Sequence, residues 1–351
     1  MDSEDEVPFY EKPEWADVVP IPQDDGPNPL VPIAYTKESS LDSTTLDYFR
    51  AICRSEEQSE RALELTKIVI ELSPSHYTVW HYRQKLLKAL NKDLSKELEW
   101  IQWMIIEHPK SYQIWHHRQV IVERISSALL HASSDSATTT STVPYHDLSE
   151  SQQKASRDAV KIELQFIGQA LAEDSKNYHA WSYRQWVLAH FGQGPWWEEE
   201  LIYVDDLLTI DIRNNSAWNQ RFFVITTGPN SLTEEVVKRE IEYTKSKIMR
   251  TPNNESPWVY LSGILNKAKH PLSEIKEFCE GLLPRIQASV SPYLHSTLLD
   301  IYEQEAKVQK NTDSLKKAKE EAVMLAEKVD TIRSKYWNWR KSQLENITVE
   351  A

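Results

Sequence analysis

The chain has 351 residues and carries 53 Asp and Glu against 40 Lys and Arg, for a net charge of −13. Its 7 glycines make up about 2% of the residues, against a usual share of about 7%. This is too few for the turns of a many-stranded β-sandwich or the phosphate-binding loops of a nucleotide-binding domain. The acidity argues against a nucleic-acid partner.

The cysteines and the hydropathy pattern bear on the compartment of the chain. Cys53 and Cys279 are the only cysteines, and no CxxC motif occurs. No apolar run is long enough for a membrane span, and the N-terminal residues lack the basic and apolar regions of a signal peptide. The sequence therefore predicts a reduced, cytoplasmic chain without membrane insertion.

Residues 1–40 are expected to form an acidic, proline-rich extended arm. Seven prolines occur by position 32, and proline disfavours helix at its own position and at the residue before it. The first 25 residues hold nine Asp and Glu and one Lys, a net charge of −8. The rest of the chain, residues 41–351, is expected to form an α-helical repeat domain.

Helical periodicity begins after the arm. Residues 60–72 repeat apolar side chains at a spacing of three to four, which predicts an α-helix. The stretch at about 126–150 interrupts this pattern, because it contains a run of Ser and Thr with little to bury. We expect a flexible insertion there.

One motif recurs in the helical domain: a Trp followed three residues later by an Arg. Weaker copies surround Trp258 and Trp337, and a degenerate copy without Trp is expected at 291–302. A period of about 35–40 residues holds two helices, which can bury their apolar faces only against neighbouring repeats. The prediction is an all-α fold of the α-α superhelix type, a solenoid of helical hairpins. The four full copies are Trp80/Arg83, Trp115/Arg118, Trp181/Arg184 and Trp218/Arg221.

The motif residues are expected to be structural. Each Trp has an apolar residue seven positions on, which places both on one helical face and predicts a core anchor between repeats. Each Arg lies one turn further and is expected to form an ion pair or to stack on a ring within the layer. A direct contact of these Arg side chains with a substrate is the alternative.

The residues before each Trp suggest a candidate binding surface. Ser111, Asn177, Asn214 and Asn254 stand four residues before a Trp and are good N-cap residues, so a second helix should begin at each. One residue earlier stand Lys110, Lys176 and Arg213, which predict a row of cations beside helix N-termini that favour anions. Solvated surface cations are the alternative. Tyr112 and Tyr178 are expected at the same edge, either contacting a ligand or packing at the hairpin entrance.

The histidines do not predict a metal site. Five of them lie at or near equivalent repeat positions, but neither HExxH nor Cys/His ligand spacing occurs. His116 and His117 are consecutive and point about 100° apart on a helix. No nucleophile triad, paired-carboxylate motif or kinase signature occurs either. These five residues are His76, His81, His116, His117 and His179.

Three segments carry a resemblance to a known family. KNYHAWSYRQW (176–186), DIRNNSAWNQRFFV (211–224) and the arm segment EWADVVPIPQDDGPNPLVPIAY (14–35) resemble the alpha subunits shared by protein farnesyltransferase and protein geranylgeranyltransferase type I. The resemblance covers about residues 14–345, and the arm is its specific part. The Ser/Thr-rich stretch is a departure from many relatives.

The resemblance implies a function that this chain performs with a partner. The partner is a beta subunit that carries zinc, and magnesium assists the diphosphate. The zinc activates the cysteine thiol of a CaaX protein, which attacks carbon 1 of farnesyl or geranylgeranyl diphosphate. The resemblance gives Lys176 the contact to the diphosphate and places Tyr112, Tyr178 and His179 near the isoprenoid and the peptide.

Two other interpretations remain. The Trp-x-x-Arg repeats also occur in Rab geranylgeranyltransferase alpha subunits, although their N-terminal arm differs. A non-catalytic α-solenoid scaffold would bind proteins without a prenyl diphosphate.

Overall fold

The computed structural model describes residues 8–24, 26–27, 40–130, 145–285 and 290–348, and within these residues it contains fifteen α-helices and no β-strand. The all-α prediction is confirmed. None of the described helices is both long and apolar enough to cross a membrane. Cys53 is half-buried, Cys279 is buried, and both are free thiols.

The helices fall into two compact units, and α6 and α7 contribute to both. Those of the first unit are α1 (Ser40–Ser55), α2 (Glu60–Leu72), α3 (Tyr77–Ala89), α4 (Leu94–Glu107) and α5 (Tyr112–Leu130), with parts of α6 (Glu150–Glu173) and α7 (Tyr178–His190). The helix predicted at 60–72 is α2, and its bounds are confirmed. Helices α2 and α3 form one hairpin, α4 and α5 form another, and α3 packs beside α5.

The second unit continues the same arrangement. It contains α8 (Trp196–Ile210), α9 (Asn215–Thr227), α10 (Glu234–Arg250), α11 (Glu255–Ala268), α12 (Lys276–Leu282), α13 (Pro292–Gln309), α14 (Thr312–Met324) and α15 (Ser334–Glu345). Helix α9 packs beside α11, and α11 beside α13. The degenerate copy expected at 291–302 therefore forms a second helix, α13, although it has lost its Trp.

The described part of the arm is not simply extended. Two 3-10 turns form at Phe9–Glu11 and Pro13–Trp15. The rings of Phe9 and Trp15 meet that of Tyr48 in α1 edge-on, with centroids 5.5 and 5.6 Å apart. Arg61 in α2 donates to the Asp17 carboxylate at 2.6 and 3.0 Å. These contacts anchor the arm segment to the first two helices.

Helix extends into the stretch predicted as an insertion. Helix α5 continues to Leu130, and a 3-10 turn at Tyr145–Asp147 precedes α6. Residues 131–144, which include the Ser/Thr-rich run, lie outside the described residues.

The motif tryptophans are core anchors, as predicted. Trp80, Trp115, Trp181 and Trp218 are 2 to 6% exposed. The apolar residues seven positions on are equally buried, which confirms that both lie on the core face. Each indole N–H donates to the backbone carbonyl six residues earlier at 2.9 to 3.0 Å, so the polar edge of the buried ring is satisfied. The four seventh residues are Leu87, Val122, Leu188 and Ile225.

Three of the four motif arginines form buried ion pairs, and the fourth, Arg118, stacks on the ring of Phe166 with its guanidinium carbon 4.2 Å from the centroid, both as predicted. Arg83, Arg184 and Arg221 each reach a glutamate on the first helix of the next hairpin through two hydrogen bonds of 2.6 to 3.0 Å. Each guanidinium also stacks on the aromatic ring three residues after that glutamate, with its carbon 3.6 to 4.3 Å from the ring centroid. The three pairs and their rings are Arg83–Glu97 with Trp100, Arg184–Glu200 with Tyr203, and Arg221–Glu240 with Tyr243.

Each of these glutamates accepts a further bond from the second helix of its own hairpin. Glu97 accepts from His117 at 2.8 Å, Glu200 from Gln220 at 2.8 Å, and Glu240 from Tyr260 at 2.8 Å. The donor in every case stands two residues after a Trp. One buried carboxylate thus joins three helices, and its charge is fully paired.

Removal of one motif arginine should lower the stability of the fold, because its buried carboxylate partner is left unpaired. Arg184→Met is expected to lower the free energy of unfolding by about 3 to 5 kcal/mol, because Glu200, with no exposed side-chain surface, is left charged without its main partner. Chemical denaturation of the full chain, in complex with the expected beta subunit where one forms, measures this loss. Lys245→Ala, which removes a pair with the exposed Glu242, is the control and should cost less than about 1 kcal/mol. Equal losses would contradict the role of the buried pair.

The pair at Glu97 also predicts a dependence on pH. Burial alone raises the pKa of Glu97, but the hydrogen bonds from His117 and Arg83 outweigh it and lower the pKa to about 2. The carboxylate therefore stabilises the fold above its unfolded-state pKa near 4.5, and this contribution is lost as the pH falls toward 2. Glu97→Gln should cost about 3 kcal/mol at neutral pH.

Denaturation at a series of pH values tests this prediction. The stability difference between the parent and Glu97→Gln should shrink steadily below pH 4.5. A difference that stays constant down to pH 2.5 would contradict the assigned pairing.

Candidate functional site

Exposed tyrosines mark the start of three second helices in the first unit. Tyr77, Tyr112 and Tyr178 are the first residues of α3, α5 and α7, and they are 74, 65 and 66% exposed, respectively. Each stands three residues before a buried Trp. The pattern that buries the Trp therefore leaves the Tyr on the surface, and we call the helix starts that carry these rings the tyrosine rim.

Three of the residues predicted to contact substrate meet at this rim. The ring of Tyr112 meets the ring of His179 edge-on, with centroids 4.2 Å apart. Tyr178 lies 6.5 Å from Tyr112 and 5.6 Å from His179. Burial lowers the pKa of His179, so its imidazole is neutral at pH 7 and available as a hydrogen-bond donor or acceptor.

Lys176 stands in the turn that leads into α7. Its side chain is exposed, and its backbone N–H donates to the carboxylate of Asp174 at 3.1 Å. The next residue, Asn177, caps the helix by accepting from the backbone N–H groups of His179 and Ala180 at 2.9 and 3.1 Å. Lys176 therefore directly precedes the positive end of a helix, where an anion is favoured.

Asn177 also ties this turn to the preceding repeat. Its side-chain N–H donates to the carbonyl of Pro109 at 3.1 Å. Pro109 directly precedes Lys110, which is exposed as well. The turns that carry Lys110 and Lys176 are thus adjacent. The two lysines occupy equivalent positions in successive repeats, each five residues before a buried Trp.

The third predicted cation, Arg213, belongs to the second unit. It is exposed, and its backbone N–H donates to Asp211 at 2.9 Å, which repeats the local bond made by Lys176. Asn214 caps α9, and Asn254 caps α11, as predicted. Ser111 also precedes a helix, but its hydroxyl is 3.3 Å from the carbonyl of Pro74. The continuous row of three cations stays a prediction.

The motif arginines do not belong to the rim. The guanidinium groups of Arg83, Arg184 and Arg221 are buried, ion-paired and stacked on rings. The glutamate occupies the N–H groups of each guanidinium, and the aromatic ring covers its plane, so neither is free to contact a ligand. The structural interpretation of these side chains is therefore favoured over direct contact with a substrate.

The histidines have separate surroundings. His116 is exposed, whereas His117 is fully buried, bonds Glu97 and lies against the ring of Trp80, 4.7 Å between centroids. Burial lowers the pKa of His117, which fits a neutral ring that donates to the carboxylate. Within the described ranges, no three His, Cys, Asp or Glu side chains are grouped so that they could hold a metal ion.

Two sets of residues at these positions were not predicted from the sequence. Tyr77 occupies the same exposed position as Tyr112 and Tyr178, and its spacing of three residues before Trp80 is the signal that identifies it. The buried glutamates were not predicted either. Their signal is a Glu three residues before an aromatic residue, in the first helix that follows each motif arginine. The glutamates are Glu97, Glu200 and Glu240.

Comparisons with known proteins agree with the repeat pattern. The family model described as the protein prenyltransferase alpha subunit repeat matches residues 59–90, 94–125, 160–191, 197–228 and 237–268. Each matched segment contains one Trp of the recurring motif, and these are Trp80, Trp115, Trp181, Trp218 and Trp258. The prediction of hairpin repeats of about this length is therefore confirmed.

Relatives cover nearly the whole chain. The protein farnesyltransferase/geranylgeranyltransferase type-1 subunit alpha of Dictyostelium discoideum is 37% identical over 97% of this chain and 95% of its own length. The protein of the same description from Arabidopsis thaliana is 38% identical and is matched over the full length of both. The solved structure of Candida albicans protein geranylgeranyltransferase-I complexed with GGPP includes a chain with a TM-score of 0.75 and 28% identity, covering 95% of this chain and 99% of that one.

Proposed function

Because the chain belongs to the family of protein farnesyltransferase/geranylgeranyltransferase type-1 alpha subunits, we propose that it acts as the alpha subunit of a heterodimeric protein prenyltransferase. The heterodimer transfers a farnesyl or geranylgeranyl group from its diphosphate to the cysteine thiol of a C-terminal CaaX sequence. In this reaction the cysteine sulfur forms a bond to carbon 1 of the isoprenoid, and the bond from carbon 1 to the diphosphate oxygen breaks.

The tyrosine rim is the observation that supports a role in this chemistry. As the carbon–oxygen bond stretches, negative charge grows on the leaving diphosphate. A cation that is already in place stabilises this charge more in the transition state than in the ground state. Lys176 meets the requirement, because it is exposed beside the N-terminus of α7 and because the family resemblance gives its position the diphosphate contact.

The neighbouring aromatic rings suit the rest of the substrate. Tyr112, Tyr178 and His179 combine apolar faces with hydrogen-bonding groups, and the first two are exposed. Aromatic faces can pack against an isoprenoid chain, and their polar atoms can bond the peptide or the diphosphate. We propose that these three residues line the isoprenoid and peptide ends of the site.

The metal ions of the proposed enzyme belong mainly to its partner. The zinc ion that the resemblance implies is assigned to the beta subunit, where it would lower the pKa of the substrate thiol. Magnesium is assigned to the diphosphate itself. Neither assignment uses a ligand from the described part of this chain, whose contribution is the cationic and aromatic rim.

The proposed heterodimer predicts a dependence on the beta subunit. Tyr77, Tyr112 and Tyr178 are each about two-thirds exposed or more, and a stable interface of about 1,600 Å² would cover such exposed rings. Co-expression with a beta subunit of this enzyme class should yield a soluble complex of one copy each, whereas the chain alone should aggregate. Size-exclusion chromatography with light scattering measures both. A well-folded monomer that does not bind such a beta subunit would favour the scaffold interpretation.

The role of Lys176 predicts a specific kinetic defect. Lys176→Ala should assemble normally, change the affinity for prenyl diphosphate only modestly, and lower the single-turnover rate at least tenfold, since loss of one such donor costs on the order of 10²–10³ in rate. Lys96→Ala, an exposed lysine in the first helix of a hairpin, is the control and should leave the rate unchanged.

Lys110→Ala decides between the two equivalent lysines. The resemblance assigned the diphosphate contact to Lys176 and no role to Lys110, so the Lys110 variant is expected to have the smaller defect. A larger defect in Lys110→Ala would move the diphosphate contact one repeat toward the N-terminus. Parent-like rates in both variants would contradict a diphosphate contact by either lysine and would favour the alternative that both are solvated surface cations.

A further inference from the structure

A lysine-rimmed apolar groove lies in the second unit, far along the sequence from the tyrosine rim. It follows the outer face of α14 and is closed at one end by residues after α14 and along one side by α15, with a volume of about 550 Å³. Leu315, Val323 and Met324 supply apolar lining, and several lysines surround them. The helices that pack against α14 are α13 and α15, and they leave this face of α14 open.

The groove stands in a basic part of an acidic chain. Residues 307–341 contain ten Lys and Arg against five Asp and Glu, a local net charge of +5 within a chain of −13. Other cations of this segment are engaged elsewhere. Arg333 pairs with Asp330 at 2.6 Å, and Arg340 pairs with Asp300 at 2.8 Å.

The groove lysines, in contrast, keep their charge available. Among the described residues, no side chain or backbone group bonds the ammonium groups of Lys319, Lys328 and Lys341, all of which line the groove. Glu320 and Glu327 also line it, and Glu320 lies 3.9 Å from the exposed Lys316. The groove therefore presents unpaired positive charge around an apolar floor, a combination that matches an acidic, amphipathic ligand.

Local backbone geometry changes at the same place. A π-helical turn at Leu325–Val329 ends α14 and carries Lys328 at the end of the groove. The indole N–H of Trp337 donates to the carboxylate of Asp330 at 2.7 Å, whereas the tryptophans of the matched repeats donate to a backbone carbonyl. π-turns occur often at functional sites, and here the turn follows α14 directly and leads toward α15, the two helices that line the groove.

We infer that this groove binds an amphipathic α-helix of a partner protein. The apolar stripe of that helix would lie on Leu315, Val323 and Met324, and acidic side chains on its flanks would meet Lys319, Lys328 and Lys341. The groove runs from Thr312 to Lys328, about 24 Å at 1.5 Å per residue, which fits a helix of about four turns. This inference does not depend on the proposed prenyltransferase activity.

A binary peptide library tests the inference directly. The peptides share a helical host of about 16 residues with a fixed Leu stripe, and each flanking position carries either Glu or Lys. Selection on the full chain, in its heterodimer where one forms, should enrich Glu at the flanks. Fluorescence anisotropy of the enriched peptide should give saturable binding that weakens as salt is raised.

Charge reversal locates the binding. Lys319→Glu combined with Lys341→Glu should weaken the Glu-flanked peptide at least tenfold and strengthen the Lys-flanked one. The double variant Lys310→Glu with Lys335→Glu makes the same change in net charge at exposed positions outside the groove lining, and it should bind within twofold of the parent. Val323→Asp removes the apolar floor and should also abolish binding.

Three outcomes would overturn the inference. Equal enrichment of Lys and Glu at the flanks would show that the groove does not select an acidic helix. Unchanged binding by the Lys319→Glu and Lys341→Glu double variant would place the peptide site elsewhere on the chain. Binding of vesicles of phosphatidylcholine with phosphatidylserine, lost on groove reversal while no peptide binds, would assign the groove to an anionic lipid surface instead.

Discussion

A buried carboxylate on the first helix of a hairpin is the constraint on which the repeat structure depends. Glu97, Glu200 and Glu240 are almost without exposed surface, and an unpaired charge in such a place costs several kcal/mol. Each carboxylate finds its donors on two other helices, an arginine from the preceding hairpin and a side chain from its own. One hairpin therefore cannot shift against the next without leaving a buried charge unpaired.

A second tie connects this core to the surface where chemistry is proposed. The carbonyl of Pro109 accepts from the indole of Trp115 at 2.9 Å and from the side chain of Asn177 in the next repeat at 3.1 Å. The residue after that carbonyl is Lys110. The buried Trp thus fixes one side of the turn, and the neighbouring cap fixes the other. The backbone position of Lys110 is therefore set by core packing and capping bonds, and no interaction of the lysine side chain is needed to hold it.

Much of the fold could be read from sequence because it rests on fixed local spacing. The Trp, the Arg three residues later and the apolar residue seven residues later all stand on one helix, where spacing determines the face. The partner of each Arg could not be read in this way. The Arg and its Glu are separated by 14, 16 or 19 residues, because the connections between hairpins differ in length, and a varying spacing hides the pairing from a search for a fixed motif.

The site was only partly predictable for a related reason. The exposed positions of Tyr112 and Tyr178 followed from their place before a buried Trp, but the 4.2 Å contact between Tyr112 and His179 joins two repeats. The stretch that contains the Ser/Thr-rich run separates these repeats in the sequence, so only the stacking of the helices brings the rings together. Tyr77 obeys the same local rule and shows that the rule, applied to every Trp, finds rim residues that a family motif alone omits.

The repeats that have lost part of the motif show which bond defines the unit. Leu261 replaces the arginine, and in the next repeat no Trp remains, yet α13 still starts in register because the hydroxyl of Ser291 donates to the carbonyl of Pro252 at 2.7 Å. That same carbonyl accepts from Trp258 at 2.9 Å. The ion pair can be replaced by apolar packing, since a buried pair adds little stability over well-packed apolar side chains. The cap bond, in contrast, is kept in this repeat, and it adds a second donor to a carbonyl that the indole of Trp258 already satisfies. Where the ion pair is absent, the bond from a cap side chain to the preceding turn therefore still holds one hairpin in register on the next.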